Sequence, residues 1–290
     1  MTSPLKKGDL FNIVAASSPI SNQEDLHSGV KVLEEWGLIC NHIDASDRSW
    51  GYLAGSDEVR FNELHQNDHP PLIAFARGGW GSARLLEKRQ PWEEGWMVGF
   101  SDLTSILLSR LARGFHGGVH GPLITTLGTE PDWSKDRLKS ILFGKSVPDI
   151  YGDPWGGEVS KGHLIVGNLT VLTHLIGTKH LPNFKNSILI IEDVGEAPYR
   201  IDRMLTHLRL AGILQQLSGL GFGSFTNCDN EKDVDKKKSF ELHYILKDRT
   251  QDLKIPIVSN LPIGHCLGNA SLPQGSQAIL NGKEGRLSLS

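Results

Sequence analysis

The sequence predicts an α/β protein of two domains, the first of which is a doubly wound parallel sheet. Three observations favour this fold class. The length of 290 residues suits two domains, strand patterns alternate with helix patterns in the first half, and residues 128–163 are rich in Gly, Pro, Asp and Lys. We therefore expect a flavodoxin-like N-terminal domain over 1–150 and a smaller mixed α/β domain over 151–290.

Three strand-to-helix units carry the prediction for the first half. "LFNIVAASSP" is typical of a buried strand and a turn, and "QEDLHSGVKVLEEWG" then places apolar residues at helical spacing before Gly37. "LIAFARGGWG" has the same order of strand, glycine turn and helix. "WMVGFSDLTSILLSRLARG" repeats it. The helical stripes are Leu26, Val30 and Leu33 in the first unit and Leu103, Leu107 and Leu111 in the third.

The second half continues the alternation. "SILIIEDVGEAPYRIDRMLTHLRLAG" predicts a buried strand over 188–191 and then a helix. Within that helix the apolar residues recur at i, i+3, i+4 and i+7. They are Ile201, Met204, Leu205 and Leu208. The charged run "CDNEKDVDKKK" at 228–238 is typical of a solvated loop.

Composition excludes several classes of protein. Lys and Arg total 30 against 33 Asp and Glu, a formal net charge of −3, and no basic stripe is visible, which argues against a nucleic-acid partner. The three cysteines, Cys40, Cys228 and Cys266, are too far apart for a disulfide framework or a CxxC metal clamp. No signal peptide and no apolar run long enough for a membrane span is present. We expect a cytoplasmic protein without a membrane partner.

The glycine-rich turn in "IAFARGGWGSARLLE", residues 73–87, is open to three interpretations. A strand that enters a helix through glycine exposes backbone N–H donors, which can hold a phosphate or an oxyanion. As a dinucleotide motif it has Gly79 and Gly81 but then Arg84 in place of the third glycine. It also lacks the Gly-Lys-Ser/Thr ending of a Walker loop. The third interpretation is a purely structural turn.

Ser101 is the candidate nucleophile. "VGFSDLT" places it after an apolar strand and before a helix, which is where a nucleophile is held exposed at a sharp turn. The N–H of Asp102 is then a candidate oxyanion donor. The alternative is that the serine or the aspartate simply caps the helix.

A serine nucleophile needs a base and a group that orients the base. The chain has 12 histidines, so composition does not select one. Two contexts are distinctive: Glu192 and Asp193 end a buried strand, and His265 lies in the Gly- and Pro-rich stretch "NLPIGHCLGNASLPQG". The alternatives are a solvated strand end and a loop histidine without a role.

Several motifs in order resemble the LD-carboxypeptidase family of serine peptidases, which also includes the microcin C immunity hydrolases. They are "LAGSDEVR", "RGGWGSARLL", "GFSDLT", "HGP", "GNLTVL", "IIEDVGEAPYRIDRML" and "LPIGHCLGNASLPQG". The resemblance runs from about Gly8 to about Leu280. It implies a cytoplasmic two-domain homodimer with a Ser-Glu-His triad and no cofactor. A metal is not expected, because no HExxH or comparable ligand spacing occurs.

The resemblance assigns roles to particular residues. It implies Ser101 as nucleophile, His265 as general base and Glu192 as the acid. We choose Glu192 because it directly ends the strand, while Glu196 stays an alternative.

The same resemblance gives the glycine turn a role. It implies oxyanion donors at the backbone N–H groups of Gly79 and Asp102. It also places Trp80 in the substrate site, where the family usually has tyrosine.

The implied reaction is release of the terminal D-alanine from murein tetrapeptide during peptidoglycan recycling. Arg77, Arg84 or Arg203 is then a candidate partner for the substrate carboxylate, because a guanidinium matches a carboxylate with two donors.

Two other functions remain open. One is an immunity-like hydrolase of peptidyl or aminoacyl nucleotides, for which Trp80, Trp92 or Trp155 would offer an aromatic surface for adenine. The other is a non-catalytic protein that binds a nucleotide or a phosphopeptide through the glycine turn.

Overall fold

The structure, a computed structural model, describes residues 2–43, 48–66, 68–230 and 239–290. Most of the charged run at 228–238, for which a solvated loop is predicted, therefore lies outside the described residues. The described chain divides into two compact units. Each unit is built around its own β-sheet.

The first unit contains the described residues up to Pro148 together with two short segments from later in the chain, Lys179–Pro182 and Leu267–Gln274. The second unit contains the remainder, Asp149–Thr178, Asn183–Cys266 and Gly275–Ser290. The sequence pattern gives no sign of the two segments that return to the first unit.

The sheet of the first unit is parallel except at one edge. Its order is β2-β1-β3-β4-β5, all parallel, and β12 pairs antiparallel with β5. This order confirms the predicted flavodoxin-like, doubly wound arrangement. The strands are β1 (Leu10–Val14), β2 (Ile39–Ile43), β3 (Leu72–Phe75), β4 (Trp96–Gly99), β5 (Gly118–His120) and β12 (Leu272–Pro273).

Six helices accompany this sheet in the described chain: α1 (Gln23–Glu35), α2 (Asp57–Leu64), α3 (Ser82–Leu85), α4 (Thr104–Ala112), α5 (Ile124–Leu127) and α6 (Asp132–Leu142). Helix α1 buries the predicted stripe of Leu26, Val30 and Leu33, and the side chain of Asn22 caps its first turn. Helix α4 differs from an amphipathic surface helix because every residue from Thr104 to Arg110 is buried. The helix that follows Ser101 is therefore held by core packing on most of its faces.

The second unit has a mixed sheet, which confirms the predicted mixed α/β class. Its order is β6-β14-β13-β8-β9-β10-β11-β7, with parallel pairing only from β8 to β11. The strands are β6 (Ile150–Tyr151), β7 (Asp153–Gly156), β8 (Val159–Asn168), β9 (Ser187–Val194), β10 (Gly219–Thr226), β11 (Ile257–Ser259), β13 (Gln277–Asn281) and β14 (Arg286–Leu289).

Strand β9 is central, and this position explains the burial of its polar end. Every residue from Ser187 to Asp193 is buried between β8 and β10. Three helices belong to the described part of this unit: α7 (Leu169–His174), α8 (Pro198–Leu210) and α9 (Leu242–Asp248). Helix α8 buries three residues of the predicted stripe completely and Met204 partly.

Among the described residues, no helix combines the length and the apolar character that crossing a membrane requires.

Candidate active site

Ser101 occupies a strained turn between β4 and α4. Its φ of +62° lies in the left-handed region, which costs a residue with a side chain about 1 to 3 kcal/mol. Residues Ser101–Leu103 form a single 3₁₀ turn that leads into α4, and the N-cap residues of the two helices, Phe100 and Leu103, make no side-chain capping bond. A strained strand-to-helix turn is the local geometry that presents a nucleophile.

The side chain of Asp102 ties this turn to two other loops. Its buried carboxylate accepts hydrogen bonds from Ser17 Oγ at 2.6 Å and from the Ser82 N–H at 2.8 Å. Ser82 Oγ donates in turn to the Asp102 carbonyl at 2.6 Å. Burial raises the pKa of Asp102, although the hydrogen bonds from Ser17 and Ser82 act to lower it. No local pattern indicates this anchor, because Ser17 and Ser82 lie 85 and 20 positions from Asp102 in the chain.

The glycine turn approaches Ser101 through Gly78. A Cβ atom at Gly78 would lie 3.0 Å from Ser101 Cβ and 3.1 Å from Ser101 Oγ, so any larger residue would crowd the candidate nucleophile. Gly79 has a φ of +110°, and a Cβ there would lie 2.2 Å from Ser18 Oγ. Both positions therefore require glycine.

The two candidate oxyanion donors are available. Among the described residues, neither the Gly79 N–H nor the Asp102 N–H donates to a protein acceptor. The Trp80 N–H, by contrast, donates to Ser18 Oγ at 3.2 Å. The indole of Trp80 is 59% exposed beside these donors in the chain.

Glu192 and His265 form a direct pair within the second unit. His265 Nδ1 lies 2.7 Å from Glu192 Oε2, and the glutamate side chain is fully buried. An ionised carboxylate only accepts hydrogen bonds, so Nδ1 carries the proton and Nε2 is the basic nitrogen. Glu196 instead lies 3.3 Å from Arg200 in an ion pair. The structure therefore places Glu192, not Glu196, on the histidine.

Two glycines make room for the buried carboxylate. A Cβ at Gly264, where φ is +105°, would lie 2.5 Å from Glu192 Oε2, and a Cβ at Gly223 would lie 3.1 Å from Glu192 Cβ. The His265 carbonyl accepts a hydrogen bond from Thr226 Oγ1 at 2.6 Å. These contacts fix the loop that carries the imidazole.

The adjacent carboxylates of β9 have different surroundings. Asp193 accepts hydrogen bonds from Asn168 Nδ2 and from the N–H and hydroxyl of Thr170, which fixes the start of α7. Burial raises the pKa of Asp193. Glu192 Oε1, in contrast, is buried without a hydrogen-bond partner among the described residues. Asp193 is therefore structural, and the polar contact of Glu192 is directed at His265.

The three candidate arginines have different partners. Arg84 is held by Asp57 through two of its nitrogens, with Nη2 at 2.6 Å from Oδ2 and Nε at 2.9 Å from Oδ1. Arg203 lies over the ring of Tyr199 at 5.8 Å. Arg77, which immediately precedes Gly78, uses Nη1 on the Pro19 carbonyl and Ser21 Oγ.

The three candidate tryptophans also differ. Trp92 is buried and Trp155 packs against Phe222 and His243, whereas Trp80 is exposed. No group of three or more His, Cys, Asp or Glu residues in the described ranges is arranged to hold a metal ion. Catalysis without a metal stays a prediction.

Comparison with known proteins identifies the class. Residues 12–121 match the LD-carboxypeptidase N-terminal domain and residues 161–280 match the LD-carboxypeptidase C-terminal domain. A Synechocystis sp. protein named as a carboxypeptidase is 42% identical over 98% of this chain and 95% of its own length. The murein tetrapeptide carboxypeptidase of Pseudomonas aeruginosa is 32% identical over 93% of this chain and 92% of its own length.

Solved structures agree with these matches. The crystal structure of muramoyltetrapeptide carboxypeptidase from Oxalobacter formigenes has a TM-score of 0.84 at 27% identity and covers 97% of both chains. The microcin C7 self-immunity protein of Escherichia coli is 22% identical over 97% of this chain and 93% of its own. Its complex with glutamyl sulfamoyl guanosine has the same fold, with a TM-score of 0.86 at 20% identity over 100% and 98% of the two chains.

The fold and these matches define a two-domain serine peptidase. The chain belongs to the LD-carboxypeptidase family, as its motifs predict. The alternative of a non-catalytic nucleotide or phosphopeptide binder is not supported by this membership.

Proposed function

We propose that this protein is a carboxypeptidase that hydrolyses the bond before the terminal D-alanine of murein tetrapeptide. The observation that carries the proposal is the 2.7 Å contact between His265 Nδ1 and the buried carboxylate of Glu192. The pair sets the tautomer that a general base requires. The names of the relatives from P. aeruginosa and O. formigenes support the substrate.

In the proposed mechanism Ser101 Oγ attacks the carbonyl carbon of the scissile bond while His265 Nε2 accepts the hydroxyl proton. Glu192 stabilises the imidazolium that forms. The N–H groups of Gly79 and Asp102 donate to the carbonyl oxygen of the scissile bond. This oxygen becomes a stronger acceptor as it turns into the oxyanion of the tetrahedral intermediate. The imidazolium then protonates the leaving amine, and water hydrolyses the acyl-enzyme.

We propose Arg77 as the partner of the substrate carboxylate. Arg84 is already paired with Asp57, whereas Arg77 lies in the chain directly before the turn that contacts Ser101. Its Nη1 is engaged by Pro19 and Ser21, which leaves two other guanidinium nitrogens to donate.

A hydrolysis assay tests the proposal with a matched pair of glutamate variants. We expect Glu192→Gln to lower kcat/KM by about 1,000-fold or more, because the amide favours the wrong tautomer of His265. Glu196→Gln should stay within a few-fold of the wild type. Near wild-type activity of Glu192→Gln on murein tetrapeptide would contradict the assignment of the acid.

The exposure of Trp80 favours a second candidate, hydrolysis of an aminoacyl or peptidyl nucleotide. Of the three tryptophans considered, it is the exposed one, and it follows the proposed oxyanion donor Gly79. The immunity protein with a similar fold binds glutamyl sulfamoyl guanosine. Comparing kcat/KM on murein tetrapeptide and on an aminoacyl sulfamoyl adenylate separates the two candidate functions. If the second is correct, Trp80→Ala should raise KM more for the adenylate than for the tetrapeptide.

The resemblance also supports action in the cytoplasm, in peptidoglycan recycling, as a homodimer. Light scattering coupled to size-exclusion chromatography tests the oligomeric state. A monomer at concentrations that support full activity would exclude a required dimer.

A further inference from the structure

The first unit contains a strongly basic cavity that the proposed reaction does not use. Its volume is about 470 Å³, and its walls come from the end of α4, the segment 88–92 and the returning segment at 179–180. Four cationic side chains line it, Lys88, Arg89, Arg113 and Lys179, together with His180. No carboxylate belongs to the lining. A volume of this size is within the range of small-molecule sites.

In the part of the chain that the structure describes, the four cationic side chains are not held by acids in direct ion pairs. Within the described ranges, no carboxylate forms a salt bridge with Lys88, Arg89, Arg113 or Lys179. The nearby acids Glu93 and Glu94 line a different cavity.

The charges also act on one another. The pKa of His180 is lowered by burial and further by the charges of Lys179 and Arg113. The C-terminal end of α4 offsets this potential only in part, because a helix end carries about half a charge. The cavity therefore has a positive potential, which attracts anions.

Neutral hydrogen-bonding groups lie among these charges. Trp92 is only 7% exposed, and its Nε1 donor is buried without an acceptor among the described residues. The fully buried hydroxyl of Ser109 bonds His180 Nδ1 at 2.8 Å and so fixes the imidazole. Phe115 adds an apolar wall. The lining thus has the composition of a ligand site, with several donors around an apolar surface.

We propose that this cavity binds a small ligand with two or more phosphate charges, such as pyrophosphate or a nucleoside diphosphate. Several cations and no carboxylate suit a polyanion better than a single carboxylate, since each added negative charge gains from the same potential. Helix α4 separates the cavity from Ser101, because its nine residues from Thr104 to Ala112 span about 14 Å. The ligand site is therefore distinct from the nucleophile and independent of the proposed reaction.

Isothermal titration calorimetry with the full chain tests the site, with inorganic pyrophosphate and uridine diphosphate as separate ligands. We expect saturable, salt-sensitive binding that Arg113→Glu and Lys179→Glu each weaken by about tenfold or more. Lys145→Glu is the matched control, an exposed lysine of the same unit beside a cavity that also contains Glu35 and Asp136. The affinity of Lys145→Glu for both ligands should remain within about twofold of the wild-type affinity.

The relative affinities show which part of the ligand the cavity binds. Tighter binding of uridine diphosphate than of pyrophosphate would show that the nucleoside also contacts the cavity, and equal affinities would assign binding to the phosphates alone. Absence of binding at millimolar concentrations, or equal weakening by Lys145→Glu, would overturn the proposal. Circular dichroism checks folding, and Arg113→Gln replaces any charge-reversal variant that does not fold.

Discussion

Ser101 and Asp102 are neighbours in the chain but contribute in different ways. Ser101 has an unfavourable left-handed backbone, while the Asp102 carboxylate is bound to Ser17 and Ser82. A residue with a side chain remains in the left-handed region only where its surroundings determine its conformation. We therefore attribute the geometry of the turn to Asp102 and the close glycines.

Two substitutions of Ser101 separate the cost of its strained backbone from the loss of the proposed nucleophile. Ser101→Ala and Ser101→Gly should both lower kcat/KM by about 1,000-fold or more, because both remove the proposed nucleophile. Only Ser101→Gly should raise the free energy of unfolding, by about 1 kcal/mol, because glycine tolerates positive φ. Urea denaturation of the two variants measures the difference. Equal stabilities would show that the turn is unstrained.

The stability contribution of Asp102 should depend on pH with a sign set by its burial. Because burial raises its pKa, its contribution is present below the unfolded carboxyl pKa, about 3.9, and is lost as pH rises through the folded value. The free energy of unfolding of Asp102→Asn should therefore increase relative to that of the wild type as pH rises from about 4 to about 7. Thermal melts across this range check the trend.

Asp57 provides a control of opposite sign. Its hydrogen bond from Arg84 lowers its pKa, so its contribution is present above the unfolded value and is lost as pH falls. The free energy of unfolding of Asp57→Asn should therefore lie furthest below the wild-type value at neutral pH. In acid the difference between the two should be smaller. The same pH trend for both variants would contradict the assigned causes.

The loop after β11 positions His265 through its glycine. Gly264 and Gly195 both have positive φ, but only a Cβ at Gly264 would meet Glu192; a Cβ at Gly195 would have nothing within 4 Å. The two positions thus share the backbone cost of an alanine and differ in the clash. They form a matched pair for testing the loop.

Gly264→Ala should lower kcat/KM by about 100-fold or more, because displacing the carboxylate misplaces the imidazole. Gly195→Ala should lose about 1 to 2 kcal/mol of stability and keep its activity. Steady-state kinetics and thermal melts of both variants measure these effects. If both enzymes retain full activity, the packing around Glu192 is not needed for catalysis.

Considered as a whole, the molecule carries its candidate nucleophile in one compact unit and the Glu–His pair in the other. Its free thiols are distributed over both units. Burial raises the pKa of Cys228 to about 11 and also raises that of Cys40. Such thiols react slowly, because the thiolate is the reactive form.

We expect activity to survive EDTA and small alkylating reagents, because a serine nucleophile requires neither metal nor thiolate. A bulky reagent on Cys266 should inhibit by blocking the adjacent His265. The Cys266→Ala variant should keep its activity and resist that reagent. Activity lost to EDTA and restored by a divalent cation would contradict the mechanism.

The sequence by itself determined what near neighbours encode. The alternation of strands and helices, the buried stripe of α1 and the buried strand that carries Glu192 follow from local periodicity, and the motif order identified the family. The assignment of Ser101, Glu192 and His265 came from that resemblance. The choice between Glu192 and Glu196 needed the structure, because both lie near the end of the same strand.

Only the tertiary structure decided the features that join distant segments. Ser17 and Asp102 are 85 positions apart, β12 joins the sheet of the first unit from near the end of the chain, and the basic cavity collects cations from three segments. None of these leaves a periodic signal, because each depends on which side chains packing brings together. Local propensity acts over a few residues, whereas burial, close glycine contacts and converging charge are properties of the folded chain.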